Sequence, residues 1–304
     1  MRPNFRAAVR TNAHSLQLPG GRVLYVTDDG ASQDTALDVI QYRSLMNVGS
    51  IPLGHVAPFG DWVDKNGNIY VVVASDTSNN GNVYEYNSGG GLIFTYNSTL
   101  GLATDVTTDR HGNVYVADNG WNSATGDEPH VAEFEQSVNE SISCPPVGIG
   151  NSNGIAVDQQ GDVFLTVNYV SGGASIVEYP RGIIKSRCVG TVLPIDVGPY
   201  GSFYGAAVDT RGNLLVGTSS VTAAPSVAII APPYTSITGS LGSGWSRPFE
   251  VRIDRAGTRA YVTDTAAKTV TVLAYPGGST IATLGTANGI SAPVSAVDSK
   301  NYVP

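Results

Sequence analysis

Charged residues are scarce in this sequence, and clusters of positive charge are absent from it. Only 14% of the 304 residues are charged, against about 25% in an average soluble protein. The surface must therefore be built mainly from Ser, Thr, Asn and Gly. The net charge is −8, and no run of Lys and Arg offers a phosphate-binding surface. The sequence argues against a nucleic-acid partner and favours a neutral or cationic ligand.

Long apolar runs are also missing. No segment approaches the ~20 apolar residues of a membrane helix, which argues against membrane insertion. Residues 1–20 contain Arg but no apolar core of the kind found in a signal peptide. The low Lys content and the Ser/Thr/Asn/Gly surface are still typical of a secreted or periplasmic protein. We therefore expect an extracytoplasmic monomer whose leader is not part of this chain.

One unit recurs along the chain: an apolar stretch ending in Asp, two variable residues, Gly, a polar residue and a second apolar stretch. An Asp side chain can accept backbone N–H groups within its own turn, and Gly adopts the positive φ that such a turn needs. The flanking residues are β-branched or aromatic, as strands prefer. Each copy therefore predicts a β-hairpin. The copies are Trp62–Val71, Thr108–Val116, Ala156–Leu165, Val208–Leu215 and Ile253–Val262.

The spacing of the second apolar stretch predicts the fold. An aromatic or apolar anchor recurs there six times at intervals of roughly 45 residues, the length of four short strands. No segment shows a helical period. The sequence predicts an all-β, six-bladed β-propeller with four-stranded antiparallel blades, forming one domain over residues 1–304. The anchors are Tyr25, Tyr70, Tyr115, Phe164, Leu215 and Tyr261.

Closure of the ring can be read from the two ends of the repeat array. Residues 293–298 (PVSAVD) resemble an innermost strand, whereas residues 22–27 resemble a second strand without a first. Pairing them removes two unpaired edges. We expect residues 293–298 to be the inner strand of the N-terminal blade, with residues 1–18 as an extension. The alternative is an inner strand at residues 14–18 and a C-terminal tail.

The pattern AVD-x-x-G-N-x-Y-V-A-D, seen at Ala156–Phe164 and Thr107–Asp118, resembles the NHL-repeat propellers. Segments such as VEYP at residues 177–180 and LAYPGG at 273–278 are similar to NHL-like repeats in uncharacterised bacterial secreted proteins. This resemblance covers nearly the whole chain. It implies a propeller fold but no particular chemistry, because such propellers include both binding proteins and enzymes.

Candidate ligand-binding residues follow from register, since inner strands line the central channel of a propeller and their ends offer a concave site. Five residues before each repeat Asp the side chains are unusually aromatic. One position later Asp105 and Glu250 lie three blades apart, facing each other across the channel, and Asp61 is the acidic residue of the next level. The alternative is that the aromatic residues fill the channel, and that Glu250 pairs with Arg252 on its own strand face. The candidates are Phe59, Asp61, Asp105, Asn153, Tyr204, Phe249 and Glu250.

Asn153-Gly154-Ile155 resembles a strand start in gluconolactonase-like and strictosidine-synthase-like six-bladed propellers. In the lactonases an Asn at this position helps to hold a divalent metal, together with acidic residues of other blades. The resemblance therefore implies a metal-binding role for Asn153. The equivalent positions here, such as Phe59 and Thr104, carry no acid. Asp61, Asp105 and Glu250 could still supply oxygen ligands to Ca²⁺. We expect no cofactor and no metal site, with a divalent ion such as Ca²⁺ as the alternative.

The sequence contains no recognisable motif for catalysis by histidine or serine. The four histidines fall in different contexts, no nucleophile elbow or phosphate loop is present, and the His and Glu acid–base pair of streptogramin lyases, another propeller group, has no counterpart. A longer loop at Asp118–His130 carries Trp121, Asp127 and Glu128; it is a functional candidate or an ordinary exposed insertion. The histidines are His14, His55, His111 and His130.

The sequence thus favours an NHL-like propeller that binds a small molecule, glycan or protein at one mouth of its channel, with catalytic residues unknown. Whether it is an enzyme stays open. The alternatives are a metal-dependent hydrolase or lactonase built on Asn153, Asp105, Asp61 and Glu250, with the metal activating water, and a structural module of a surface protein.

The two cysteines, Cys144 and Cys188, could form a disulfide. Counted from the third-strand aromatic residue of its repeat, however, each falls on the outermost strand of successive blades. Outer strands are the most widely separated parts of neighbouring blades, and a disulfide needs Cα atoms within about 7 Å. The repeat therefore predicts two free thiols.

Overall fold

Short apolar segments form the β-strands of the computed structural model, which describes residues 21–30, 35–54, 56–75, 81–120, 129–144, 150–169, 171–198, 201–220 and 222–300. Helix is limited in these ranges to α1 (Ile183–Ser186) and one 3-10 turn (Thr286–Asn288). The strands are β1 (Val23–Asp28), β2 (Thr35–Gln41), β3 (Asn47–Gly54), β4 (Val56–Val63), β5 (Ile69–Ser75), β6 (Gly81–Tyr86), β7 (Leu92–Tyr96), β8 (Ala103–Thr108), β9 (Val114–Asp118), β10 (His130–Phe134), β11 (Ser141–Cys144), β12 (Gly150–Val157), β13 (Val163–Tyr169), β14 (Ala174–Tyr179), β15 (Thr191–Val192), β16 (Ser202–Val208), β17 (Leu214–Ser219), β18 (Ser226–Ile230), β19 (Gly239–Leu241), β20 (Pro248–Ile253), β21 (Arg259–Asp264), β22 (Thr269–Ala274), β23 (Thr280–Leu284) and β24 (Pro293–Asp298).

These strands form six antiparallel sheets of four strands each, the predicted all-β six-bladed propeller. Blade 1 has the order β24-β1-β2-β3, and blades 2 to 6 follow the chain from β4 to β23. The inner strands contact one another in sequence, and β24 contacts both β20 and β4, which completes the ring. The predicted closure is confirmed: β24 pairs with β1, with Tyr25 opposite Val297. The alternative inner strand at residues 14–18 lies outside the described residues.

The repeated Asp and Gly make the turn between the first and second strand of a blade. Oδ1 of Asp64 accepts the backbone N–H groups of Asn66 and Asn68, both at 2.8 Å. Gly67 has φ of 84°, which a residue with a side chain rarely adopts. The same side-chain bonds recur at Asp109, Asp158 and Asp209. These turns form one end of the propeller, here called the hairpin end.

Adjacent blades pack face to face, so the middle strands are apolar on both sides. In β5, Ile69, Val71 and Val73 lie in the core shared with blade 1. Tyr70 and Val72 point the other way, into the core shared with blade 3. Alternation of side chains along a strand requires this division. The apolar runs of the sequence, rather than strict polar alternation, therefore reflect sheets buried on both faces.

Arg22 links the closing strand to its neighbours. Its guanidinium lies 2.7 Å from carboxylate oxygens of Asp254, in blade 6, and Asp298, in β24. It also lies 4.4 Å from the centre of the Tyr42 ring. Closure therefore combines strand pairing with a partly buried ion-pair network.

The prediction of two free thiols is wrong, because Cys144 and Cys188 form a disulfide with Cα atoms 5.3 Å apart. Cys188 is not on an outer strand. Residues 180–190 leave blade 4 as α1, which contacts β10 and β11 of blade 3, and β15 begins only afterwards. Cys188 follows α1 in a left-handed turn, with φ of 62°. Counting positions along a regular blade therefore placed it on the wrong element.

In the part of the chain that the structure describes, no helix has the length and apolarity needed to cross a membrane.

Candidate functional site

Every inner strand carries a register irregularity at the same height, near the end opposite the hairpin end. This opposite end is called the mouth end. The extra residue of a β-bulge re-aims neighbouring side chains, and bulges are frequent next to binding and active sites. In blades 2 to 6 the shifts lie between Pro58 and Asp61, Ala103 and Asp105, Ser152 and Ile155, Phe203 and Ala206, and Pro248 and Glu250. In blade 1 the shift lies between Pro293 and Ser295 of β24, which pair with Asp28 and Thr27 of β1.

The bulges hold the aromatic candidates. Phe59, Tyr204 and Phe249 are all half-buried, as is Asn153. The rings of Tyr204 and Phe249, from adjacent blades, have centroids 5.3 Å apart. Phe59, three blades from Tyr204, packs instead on the core that contains Trp62. The structure thus brings two of the three aromatic residues into contact and leaves part of each surface open.

Hydrogen-bonding groups accompany this aromatic pair. The Tyr204 hydroxyl lies 3.1 Å from the hydroxyl of Ser219. The Asn153 amide nitrogen donates to the Asn151 carbonyl at 3.2 Å, and its side-chain carbonyl oxygen is of the kind that can accept a hydrogen bond from a ligand. We call Phe59, Asn153, Tyr204 and Phe249 the mouth residues.

Hydroxyl groups of adjacent blades fix the bulged backbone. Thr27 donates to the Phe59 carbonyl at 2.9 Å, and Thr166 donates to the Tyr204 carbonyl at 2.8 Å. Thr104, at the mouth-residue position of blade 3, is buried and donates to the Ser152 carbonyl at 2.9 Å. Carbonyls freed from the strand ladder are thereby satisfied, and the mouth residues stand on a rigid backbone.

Below the mouth residues lies a buried charged group, here called the axial cluster: Asp61, Asp105, Glu250, Arg252 and Ser295. Arg252 is fully buried and reaches across the channel axis. Its guanidinium pairs with Asp105 of blade 3 and, at 2.7 Å, with Glu250 of its own strand. It also donates to the Asp61 carbonyl at 3.1 Å. Arg252 also donates to the Ala206 carbonyl of blade 5 at 3.2 Å. One side chain therefore joins blades 2, 3, 5 and 6 and closes the channel beneath the mouth.

Small residues make room for these carboxylates. A Cβ atom on Gly60 would collide with the carboxylate of Asp105, and one on Gly205 would collide with that of Glu250. The glycines of this level are therefore the counterpart of the acids on the adjacent blade. This explains why the residue at this level is small in most blades and acidic in blades 3 and 6.

The carboxyl groups of the axial cluster hold protons more tightly than usual. Burial raises the pKa of Asp61 to about 7, opposed by the Ser295 hydroxyl, which donates to Oδ1 at 2.6 Å. Among the described residues, Oδ2 of Asp61 is buried without a hydrogen-bond partner. Burial likewise raises the pKa of Asp105 and Glu250, opposed by the charge of Arg252. Two of the three carboxyl groups thus pair with one guanidinium, and burial favours the protonated form of all three.

The axial cluster does not fit a divalent metal. Two of its three carboxylates already pair with a guanidinium, which places positive charge where a metal would lie. Within the described residues, no group of three or more His, Cys, Asp or Glu side chains has the arrangement of a metal site. Asn153 points to its own strand rather than to these acids.

The remaining sequence candidates are scattered. His111 lies exposed in the blade 3 hairpin, and His130 is buried at the start of β10. His14, His55, Trp121, Asp127 and Glu128 lie outside the described residues.

Sequence reasoning missed a second set of Asp residues, at the mouth end of the second strands. Asp28 accepts the N–H groups of Ser291 and Ala292 at 2.6 and 2.8 Å. Asp118 likewise accepts two backbone N–H groups from the connection before β8, and Asp264 accepts two from the connection before β20. All three lie three residues after an aromatic anchor, a regularity visible in the sequence. They hold the connections between blades and thus the rim of the mouth.

Comparison with known proteins finds no match to a family model and none to a curated protein sequence. Solved structures do match. A chain from a nidogen–laminin complex gives a TM-score of 0.70 at 12% identity, covering 92% of this chain and 98% of that chain. A protein of unknown function from Bacteroides caccae gives 0.64 at 12% identity, covering 91% and 98%. TolB from Acinetobacter baumannii gives 0.61 at 12% identity, covering 84% of this chain and 62% of that chain.

At such identities the matches establish the fold and nothing finer. Membership of the NHL group, inferred above from sequence motifs, stays a prediction. The protein is an all-β, six-bladed propeller similar in shape to chains of varied function.

Proposed function

We propose that this protein is an extracytoplasmic binding propeller that takes a neutral or cationic ligand at the mouth end of its channel, with glycans as the favoured class. The observation that carries the proposal is the half-buried Tyr204–Phe249 pair, held at 5.3 Å on bulged inner strands. Aromatic faces stack on the apolar face of a sugar ring or on a cation.

The charge and the polar groups around the pair agree with this ligand class. The chain carries a net charge of −8, and the axial cluster below has more carboxyl groups than guanidinium groups. At the mouth end an anionic ligand would be repelled. The Tyr204 hydroxyl and the Asn153 amide supply donors and acceptors of the kind that sugar hydroxyls need.

The disulfide supports a location outside the cytoplasm. Disulfides form and persist in oxidising compartments and are rare in the cytosol. Cys144 and Cys188 are paired although the blade architecture does not bring equivalent outer strands together. They meet because residues 180–190 leave blade 4 and pack against β10 and β11 of blade 3.

Saturation-transfer NMR against a panel of neutral and cationic sugars tests the proposal. A binding sugar should lose about tenfold in affinity in Tyr204→Ala or Phe249→Ala, because burial of one aromatic face is of that order. Tyr84→Ala is the matched control, since Tyr84 is also half-buried but lies on β6 within blade 2. Equal losses in the control, or no binding by any sugar of the panel, would contradict the proposed site.

A further inference from the structure

A pocket lies at the hairpin end, between the turns of blades 3 and 4. It has a volume of about 230 Å³ and is closed on one side by the segment that leads into α1. Three of its lining residues are cations, in a chain that has 17 Lys and Arg against 25 Asp and Glu. The basic pocket is defined by Arg110, His111, Gln159, Gln160, Arg181 and Lys185.

In the described part of the chain, no carboxylate forms an ion pair with the cations of the basic pocket. Among the residues that the structure describes, the ion pairs of Lys and Arg side chains involve Arg22 and Arg252 only. Arg110 donates through Nε to the imidazole of His111 at 3.3 Å, which leaves the outer part of its guanidinium available. Positive charge is thus concentrated on the exposed side chains of Arg110, Arg181 and Lys185.

The two carboxylates in the pocket wall are already in use. Oδ1 of Asp109 accepts two backbone N–H groups of its turn, and Oδ1 of Asp158 does the same. Both residues are buried. These backbone donors partly offset the negative charge of Asp109 and Asp158, and the exposed side chains of the pocket include three cations.

The wall that carries Arg181 and Lys185 is held from two sides. Oε2 of Glu133, in blade 3, accepts the N–H groups of Ile183 and Ile184 at 2.9 and 3.0 Å. The Cys144–Cys188 disulfide fastens the other end of the same segment to β11. Segment 180–190 thereby stays against the blade 3 hairpin, which keeps Arg181 and Lys185 close to Arg110 without a bound ligand. Such preorganisation lowers the entropic cost of binding.

We propose that the basic pocket binds a tetrahedral oxyanion, the phosphate or sulfate group of a small ester. Arg guanidinium groups present two parallel N–H donors that match the oxygens of such groups, and Lys adds a point charge. The volume of the pocket suits one oxyanion with a small substituent. This site is separate from the mouth end and does not depend on the function proposed there.

The neighbouring pocket, between the turns of blades 4 and 5, provides an internal control. It is of similar size, about 290 Å³, and is built from the same kind of turn, but Arg211 is its single cation. Turn geometry alone would make both pockets bind alike. Charge clustering would make only the basic pocket bind.

Titration of the wild-type protein with sodium phosphate and sodium sulfate, at constant ionic strength set with sodium chloride, tests the proposal. Calorimetry should show saturable binding, and the His111 imidazole signals should shift in NMR spectra. Arg110→Gln/Arg181→Gln should weaken binding by about tenfold or more, whereas Arg211→Gln should bind as the wild type does. Tighter binding of phosphate than sulfate would identify phosphate esters, the reverse order sulfate esters, and equal affinities the shared oxyanion chemistry.

Asp162→Asn is a further variant, expected to strengthen binding because Asp162 accepts the Arg181 backbone N–H at 2.7 Å and places a negative charge beside the pocket. The proposal is overturned if neither anion binds saturably. It is also overturned if Arg211→Gln loses as much affinity as the double variant. The His111 shift in the wild type decides the matter even if the double variant fails to fold.

Discussion

At the scale of single residues, Arg252 has the most demanding environment. It is fully buried, and burial alone would lower its pKa, but the charges of Asp105 and Glu250 raise it. The guanidinium is therefore held charged inside the channel. Trp62 adds a contact, with its ring centre 5.4 Å from the guanidinium carbon.

Replacing Arg252 should be strongly destabilising. Arg252→Met would leave buried carboxylates without their counter-charge, a loss of about 3 to 5 kcal/mol in the free energy of unfolding. Urea titration followed by circular dichroism measures it. Adding Asp105→Asn and Glu250→Gln to the same variant should recover much of the loss. Arg255→Met, at an exposed position, is the control, and a similar midpoint for both single variants would contradict the burial argument.

Asp61 should make stability depend on pH. Burial raises its pKa from 3.8 to about 7, so between these values the folded protein keeps a proton that the unfolded chain has lost. Its contribution to the free energy of unfolding is therefore present at low pH and lost as the pH rises through this window, by at most about 1.4 kcal/mol per unit. The nearby Asp105 and Glu250 add to the same trend, because burial raises their pKa as well.

Denaturant titrations at pH values from 4 to 8 can isolate the Asp61 contribution. Asp61→Asn should show a smaller fall in stability across this range than the wild type, while Glu140→Gln, at an exposed site, should follow the wild type. Identical pH slopes for Asp61→Asn and wild type would mean that Asp61 does not carry the proton.

The sequence showed which residues share a level of the channel, because register follows from counting along regular strands. The alternative of a Glu250–Arg252 pair on one strand face is confirmed. The sequence could not show that Arg252 also contacts Asp105, since this depends on the width of the channel and the reach of one side chain. It also could not show the contact between Tyr204 and Phe249, which depends on the bulges that precede Ala206 and Glu250.

At the scale of elements, segment 180–190 departs most from the repeat. Its helix α1 is only one turn long and is stabilised from outside, by Glu133 at its first N–H groups and by the disulfide after its last residue. A helix of this length is not stable by itself. The Asp-x-x-Gly turns were predictable because their bonds are local, whereas this segment depends on a partner in another blade.

Removing the disulfide should release this segment. Cys144→Ser/Cys188→Ser is expected to lose about 2 to 4 kcal/mol of unfolding free energy. Trypsin should then cut at Arg181, Lys185 or Arg187, which are exposed, faster than in the wild type. Mass spectrometry of the fragments locates the cuts. Equal cutting rates in the oxidised wild type and the variant would show that Glu133 alone holds the segment.

At the scale of the whole molecule, β24 makes the ring. It pairs with β1 and lies between β4 and β20, so it belongs to three blade contacts at once. Ser295 on this strand also donates to Asp61 in blade 2. Closure could be predicted because one missing inner strand and one surplus inner strand were both visible in the sequence.

Deleting residues 293–304 should abolish cooperative unfolding, because it exposes the edge of β1 and removes the partner of Asp61. Calorimetry of the truncated protein should show no sharp transition. A synthetic peptide of residues 291–300 added in excess should restore part of it, whereas a peptide with Val297→Asp should not, since Val297 is buried opposite Tyr25. A truncated protein that melts like the full chain would rule out the structural role of this strand.

Closure by the last strand also sets the timing of biogenesis. During synthesis, β1 to β3 of blade 1 are made before the other blades but lack their inner strand until residues 293–298 have been made. For that interval β1 offers a free edge in the nascent chain. A delay in the synthesis of residues 293–298 would prolong the exposure of this edge, so blade 1 is the blade most open to wrong strand pairing before the ring closes.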